Sequence, residues 1–266
     1  MPQPNDSQFP PPVIALLTDF GSLDHYGGVV KGVIASISPL ATVVDITHEV
    51  EPHKVKQAAY LLWASYRFFP AHSVFVSIVD PAVGSDRKIL VGRTNKYFFL
   101  APDNGVMDLV RAEDELCECY EVRTKNSPFV FSPVSSTFHG RDVFAPVAAY
   151  LANGVACSEF GPVHKMSPVE SPFITSRDLR AGEILHCDRF GNLVTNIKNS
   201  LFESVGKIKT KKSAITEKLK YYGEGKKNTP GLIQGSSGLI EIVIREGSAS
   251  QRLGLHPETP FKIEWQ

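Results

Sequence analysis

The spacing of apolar residues alternates between two periods along the first half of the chain. Val13 to Thr18 (VIALLT) is a short apolar run and predicts a buried strand. From Gly27 to Ser38, Val29, Val30, Val33, Ile34 and Ile37 recur at helical spacing. Thr42 to Ile46 predicts a second strand, His53 to Tyr66 a second helix, and Ser73 to Val79 a third strand. Lys88 to Leu100 predicts two strands around Asn95, and Arg141 to Ala152 a further helix. Strand, helix, strand, helix, strand implies a mostly parallel sheet flanked by helices, an α/β fold.

The pattern changes after Gly161. Residues 162–181 are rich in Pro and Ser and lack periodicity, so they predict a linker. Beyond it the signals are short and strand-like: Gly182 to Cys187, Leu193 to Ile197, Leu239 to Arg245 and Phe261 to Trp265. The expected organisation is a disordered tail over 1–12, an α/β N-terminal domain over 13–161, the linker, and a smaller β-barrel-like domain over 182–266. Pro10 to Pro12 cannot donate to a ladder, so order should begin at Val13. No repeat is evident.

Charge narrows the function classes. Lys and Arg total 28 and Asp and Glu total 28 in 266 residues. A neutral chain has no global field to attract nucleic acid or an anionic membrane. The Lys-rich stretch 207–227 reads as solvated strands and turns rather than an anion patch. No apolar run approaches the roughly 18 residues of a membrane span. The start has neither a basic region nor an apolar one, so no leader is expected. Four cysteines (Cys117, Cys119, Cys157, Cys187) are too few for a disulfide scaffold and lack a zinc pattern, which points to reduced thiols in the cytoplasm. Cys117 and Cys119 are expected on one face of a strand.

Ligands of parallel sheets bind beyond the carboxyl ends of the strands, where Asp19 and Asp80 fall. Asp19, in Thr18-Asp19-Phe20-Gly21, can accept two hydroxyl protons from a ribose diol, or cap the next helix. Asp24 can reach the same cavity, or cap the helix near Gly27. In Asp80-Pro81-Ala82-Val83-Gly84-Ser85-Asp86-Arg87 the turn either brings Asp80 and Arg87 into a site or makes a surface ion pair. His139, in Phe138-His139-Gly140-Arg141-Asp142, precedes a helix and can orient a water or hold an anion, or simply pack. Asp188, Phe190 and Asn192 surround a Gly-Asn pair that suits either a purine edge and an ammonium group or a plain hairpin turn. Ser236 and Ser237, inside Gly235-Ser236-Ser237-Gly238, form either a nest of backbone donors or a Gly/Ser turn. The common nucleotide, zinc-protease and serine-hydrolase signatures are missing.

TDFG at 18–21, DPAVGSDR at 80–87, APDNG at 101–105, TFHGRD at 137–142, FGNLVTNI at 190–197 and the GSSG segment occur in one order. As a set they resemble the S-adenosylmethionine (SAM) hydroxide adenosyltransferases, relatives of the fluorinases and chlorinases, from about residue 13 to the end. The resemblance implies an α/β domain, a β-rich domain and a homotrimer with sites between subunits. It implies attack of water on ribose C5′ of SAM, giving adenosine and L-methionine, with no cofactor and no metal. Asp80, Arg87 and His139 match the family's catalytic Asp/Arg/His set, and which of Asp80 and His139 takes the proton stays open. Halogenating relatives lack that acid and that His, and Gly140 stands where the fluorinase has a fluoride-binding Ser. Asp19 matches the ribose-binding Asp, Asp24 and Asp188 match acids near the methionine, and Asn192 matches an adenine-binding Asn. Phe138 and Phe190 join the substrate-binding set. Ser236 and Ser237 match the strip at the methionine end, where the fluorinase has Ser then Arg. Tyr26 and His53 depart from the fluorinase's Ser and Trp. The alternatives are a halide-using transferase and a non-enzymatic SAM- or nucleoside-binding protein.

Overall fold

The computed structural model describes residues 11–114, 116–211 and 213–266. Most of the tail expected over 1–12 therefore lies outside the described residues, as does Lys212 of the Lys-rich stretch. The first strand starts at Val13, directly after the prolines that could not have joined it.

The chain divides into two compact units between Glu170 and Ser171. In the first, strands and helices alternate: β1 (Val13–Thr18), α1 (Tyr26–Ile37), β2 (Thr42–Thr47), α2 (Val55–Ser65) and β3 (Val74–Ile78). A hairpin follows, β4 (Ile89–Arg93) and β5 (Phe98–Pro102), then α3 (Asp108–Arg111), β6 (Glu118–Glu121) and α4 (Ala145–Ala152). The sheet runs β2-β1-β3-β5-β4-β6. β2, β1, β3 and β5 are parallel, and β4 alone runs against its neighbours β5 and β6. Parallel strands in such a sheet are buried on both faces and read as continuous apolar runs, which is why the sequence pattern located them.

Alternate residues of the central strands serve opposite faces. Ile14, Leu16, Val74 and Val76 join a core with Val30 and Ile34 of α1 and Val147 and Leu151 of α4. Their neighbours Ala15, Leu17 and Phe75 are buried as well. The second helix begins at Val55 rather than His53, because His53 adopts φ +67° and cannot be helical. The helix expected from Arg141 opens with one wide π turn, Gly140–Phe144, before α4. Such turns often mark functional sites, and this one follows His139.

The second unit contains β7 (Ala181–Cys187), β8 (Leu193–Lys198), β9 (Val205–Lys209), β10 (Ala214–Ile215), β11 (Lys218–Leu219), β12 (Pro230–Gln234), β13 (Leu239–Ile244), α5 (Ala249–Leu253) and β14 (Pro260–Trp265). They form a curled eight-stranded sheet, a half-barrel, in the order β10-β9-β14-β7-β8-β13-β12-β11. Its core includes Ile184, Leu193, Ile208, Leu232, Ile242 and Phe261.

Within the stretch 162–181, Pro162 O accepts from Glu121 N at 2.9 Å, and Ile174 N donates to Asn196 O at 2.8 Å. One local reading needs correction. Cys117 and Cys119 do not share a strand face. Cys117 precedes β6 and is exposed, whereas Cys119 lies inside it and is buried. In the Lys-rich stretch, Lys207 pairs with Glu264 at 2.9 Å, Lys209 pairs with the same carboxylate, and Lys227 pairs with Glu246 at 2.6 Å.

Candidate active site

The turn after β3 brings Asp80 and Arg87 together. Arg87 Nε donates to Asp80 Oδ2 at 2.7 Å, and Arg87 Nη2 donates to the same oxygen. The turn between them is closed by Val83 N donating to Asp80 O and Ser85 N donating to Ala82 O. Gly84 sits at φ +82°, and a Cβ there would fall 2.1 Å from Ser136 O. Only glycine lets this turn lie against the loop that leads to His139. Asn104, from the APDNG segment, donates through Nδ2 to Val79 O at 2.8 Å and so anchors the backbone just before Asp80. Sequence reasoning noted that segment without finding its task.

His139 completes the group, with Nδ1 2.7 Å from Arg87 Nη2. A guanidinium has no acceptor, so Nδ1 must accept, and the neutral ring carries its hydrogen on Nε2. Burial and then the Arg87 charge push the His139 pKa below its ordinary value, which favours that neutral ring. The Asp80 and Arg87 side chains are 5% and 10% exposed, so this is no surface ion pair. Asp80 Oδ1 is buried and has no hydrogen-bond partner. One open carboxylate oxygen and one ring N–H therefore remain for a small polar molecule.

Asp142 holds the loop before His139. Its Oδ2 accepts from Ser135 N at 2.7 Å, and its Oδ1 from Arg141 Nε at 2.6 Å. Burial alone would raise the Asp142 pKa, but these bonds and the Arg141 charge together lower it.

Of the remaining first-unit candidates, Asp19 and Asp24 lie between β1 and α1, and Phe138 lies just before the π turn. Asp19 caps no helix of its own: its Oδ2 accepts from His53 N at 2.9 Å, just ahead of α2. Asp24 is exposed, and it does not cap α1, whose N-cap is His25. Phe138 packs with Phe20 (ring centroids 6.1 Å) and Tyr26 (5.1 Å) into an aromatic wall. A Cβ on Gly140 would press within 3.2 Å of Phe20 and 3.1 Å of Phe138, so the wall depends on that residue's lack of a side chain.

In the second unit, Asp188, Phe190 and Asn192 line a cavity of about 630 Å³ with Tyr222 and residues 244–248. Asp188 builds the turn itself: Oδ1 accepts from Phe190 N at 2.9 Å and Asn192 N at 2.8 Å, and Oδ2 from Asn192 Nδ2 at 2.8 Å. Phe190 lines the cavity and is 77% exposed. Tyr222 donates to Glu241 Oε2 at 3.0 Å, and burial raises the Glu241 pKa. Sequence reasoning missed Tyr222, whose signal was an aromatic pair inside a Lys-rich stretch. Ser236 and Ser237 form the β12–β13 hairpin turn and do not line this cavity. That turn is held by Asn199 Nδ2 donating to Gly235 O at 2.8 Å.

Among the described residues, no group of three His, Cys, Asp or Glu is placed to hold a metal ion. No helix among them is long and apolar enough to cross a membrane.

Comparison with known proteins bears on the whole chain. Residues 14–161 match the family model described as SAM hydroxide adenosyltransferase N-terminal domain, and residues 182–262 match the C-terminal one. The chain is 32% identical over 255 residues to the (R)-S-adenosyl-L-methionine hydrolase of Thermus thermophilus, covering 94% of this chain and 98% of that protein. It is 29% identical over 224 residues to the fluorinase of an Actinoplanes species, covering 73% and 74%. Among solved structures, an uncharacterized conserved protein from Thermotoga maritima superposes with TM-score 0.85 at 34% identity, over 94% of this chain and 99% of that one.

Proposed function

The chain belongs to the SAM hydroxide adenosyltransferase family, and on that premise we propose that it hydrolyses SAM at ribose C5′ to adenosine and L-methionine. The observation that carries this reading is the open oxygen of Asp80, buried beside an arginine-locked neutral histidine. Water is the weak reactant, since a thioether leaves a sulfonium without protonation. A positioned general base is typically worth about 10²–10⁴-fold. Asp80 Oδ1 takes the proton, the His139 Nε2 hydrogen orients the water, and Arg87 fixes both side chains. A carboxylate at this point also repels a halide, which favours water as the nucleophile. Opposite charges collapse as hydroxide character meets sulfonium, so water exclusion around the pair lowers the barrier.

Asp19 takes the ribose diol, and Phe190, Tyr222 and Asn192 take the purine. Asp24 is assigned to the methionine ammonium. Asp188 keeps its place in the substrate-binding set chiefly through the turn it builds, and Ser236 and Ser237 stay assigned to the methionine end. No cofactor is required by this chemistry. Four free thiols fit the reducing cytoplasm.

The test is incubation of pure protein with SAM in H₂¹⁸O, following products by chromatography and mass spectrometry. Equal adenosine and methionine, with label in the adenosine, is the expected result. A 5′-halo product in salt would replace the reading with halide transfer, and binding without products would replace it with a SAM-binding protein.

The reading includes a homotrimer in which ribose and water residues of one subunit serve purine residues of the next. Mixing Asp80→Ala protein with Asn192→Ala protein and allowing subunit exchange should then restore activity above that of either variant. An active monomer by light scattering would remove the trimer and leave the chemistry intact.

A further inference from the structure

Each hydrolytic turnover admits one water and releases one proton while the substrate occupies its own approach to the site. A cavity of about 1020 Å³ opens in the first unit among residues 84–89 and 121–139. Its wall includes Arg87 and His139 together with Ser85, Thr124, Ser127 and Ser136. Asp19, Phe20, Tyr26 and Phe138, the ribose candidate and the aromatic wall, do not line it. Arg87 and His139 thus border a cavity that those four residues, and Asp80 itself, do not line.

We propose that this cavity is the water inlet and proton outlet of the Asp80–Arg87–His139 group, an inference that rests on the SAM-hydrolase reading above. A water occupies about 30 Å³ in the liquid, so the space holds a hydrated column rather than one trapped molecule. Its hydroxyl-bearing wall suits such a column, because buried or half-buried water needs two to four polar partners. Asp80, Arg87 and His139 are nearly buried, so water reaches the group only through a defined opening. Within the step, water oxygen bonds to C5′ and the C5′–S bond breaks, with its electron pair passing to sulfur. One water proton stays on the new 5′-hydroxyl. The other passes to Asp80, which does not itself line the cavity, and then past His139, which does, into the water column and to solvent.

Filling the cavity tests this. Thr124→Trp places an indole in the wall away from the catalytic atoms, and Ser127→Phe does the same from a second point. Retained adenosine affinity in calorimetry, within about twofold of the parent, shows that a variant is folded. The expected result is a kcat for adenosine release reduced at least about tenfold in a folded variant. The isotope readout is independent of rate. Enzyme equilibrated in ordinary water is mixed with SAM in H₂¹⁸O, and first-turnover adenosine is analysed. The parent should incorporate label in that turnover, while a filled variant should use its trapped unlabelled water first. Parental kcat, full label in the first turnover of both variants, or adenosine affinity lost in both while far-UV circular dichroism stays parental would overturn the proposal. A parent that forms no adenosine at all would instead overturn the hydrolase reading.

Discussion

Arg87 Nη2 lies 2.7 Å from His139 Nδ1, and this single contact fixes which way the imidazole can act. Because arginine only donates, His139 presents an N–H, and the open proton acceptor of the group is Asp80 Oδ1. Asp80→Asn should therefore lower kcat by about 10²–10⁴-fold, the usual worth of a general base, with little change in SAM affinity. His139→Gln keeps an N–H donor and should retain more activity than His139→Leu. Equal losses in the two His139 variants, measured by adenosine release, would make the histidine the base.

The pH dependence follows from the same contact. Burial and the Arg87 charge lower the His139 pKa in the folded protein. An ordinary histidine, as in the unfolded chain, takes up its proton near pH 6.5. The folded state resists that proton, so the contribution of this site to stability is lost as pH falls through about 6.5 towards the lowered value. Activity should hold through that range and decline only below it, where His139 gains a proton and must give up its bond from Arg87. His139→Gln should lose both the acid decline in kcat and this part of the stability profile, which thermal melts between pH 5 and 8 can follow.

Asp19 already has one partner, the His53 N–H at 2.9 Å, and its other lone pairs remain for a diol. Removing it by Asp19→Ala should weaken adenosine binding by about 1–3 kcal/mol, the cost of orphaning a charged hydrogen bond. Titration with 2′,3′-dideoxyadenosine separates the two tasks. That ligand should bind parent and variant alike if the diol is the partner, and should bind the variant more weakly if the loss comes only from the freed His53 loop.

The elements that the sequence revealed are those whose burial imposes a period. β1, β3 and α1 carry unbroken or helically spaced apolar residues because a parallel sheet covered on both faces needs them. β9 and β12 escaped notice because β9 offers only Val205 and Ile208 as buried apolar positions, and β12 opens on Pro230-Gly231, which reads as a turn. The Asp80–Arg87–His139 group was legible as motifs, since the turn from Asp80 to Arg87 is local. Its internal logic was not, because the His139 tautomer and the open Asp80 oxygen depend on an encounter across 52 residues of chain. Asn104 and Tyr222 were invisible for the same reason: each acts through one distant partner, Val79 O or Glu241.

Asp188 shows how a residue with the right chemistry can be spent on architecture. Both of its oxygens are engaged within four residues, by Phe190 N, Asn192 N and Asn192 Nδ2. Those bonds set the turn that raises Phe190 over the cavity and aims Asn192 into it. If turn-building is the larger role, Asp188→Ala should cost about 1–3 kcal/mol of stability, as expected for charge-assisted bonds left unmade. Adenosine and SAM should then lose affinity by the same factor, because both need the same purine platform. If instead the carboxylate holds the methionine ammonium, SAM should lose more than adenosine, which lacks that group. Asp188→Asn sharpens the comparison: an amide keeps one acceptor for the backbone N–H groups but carries no charge. The turn reading expects Asp188→Asn to recover most of the melting temperature and to leave the SAM-to-adenosine affinity ratio of the parent. Calorimetric titration of the two ligands, with SAM measured on the Asp80→Asn background to suppress turnover, decides between them.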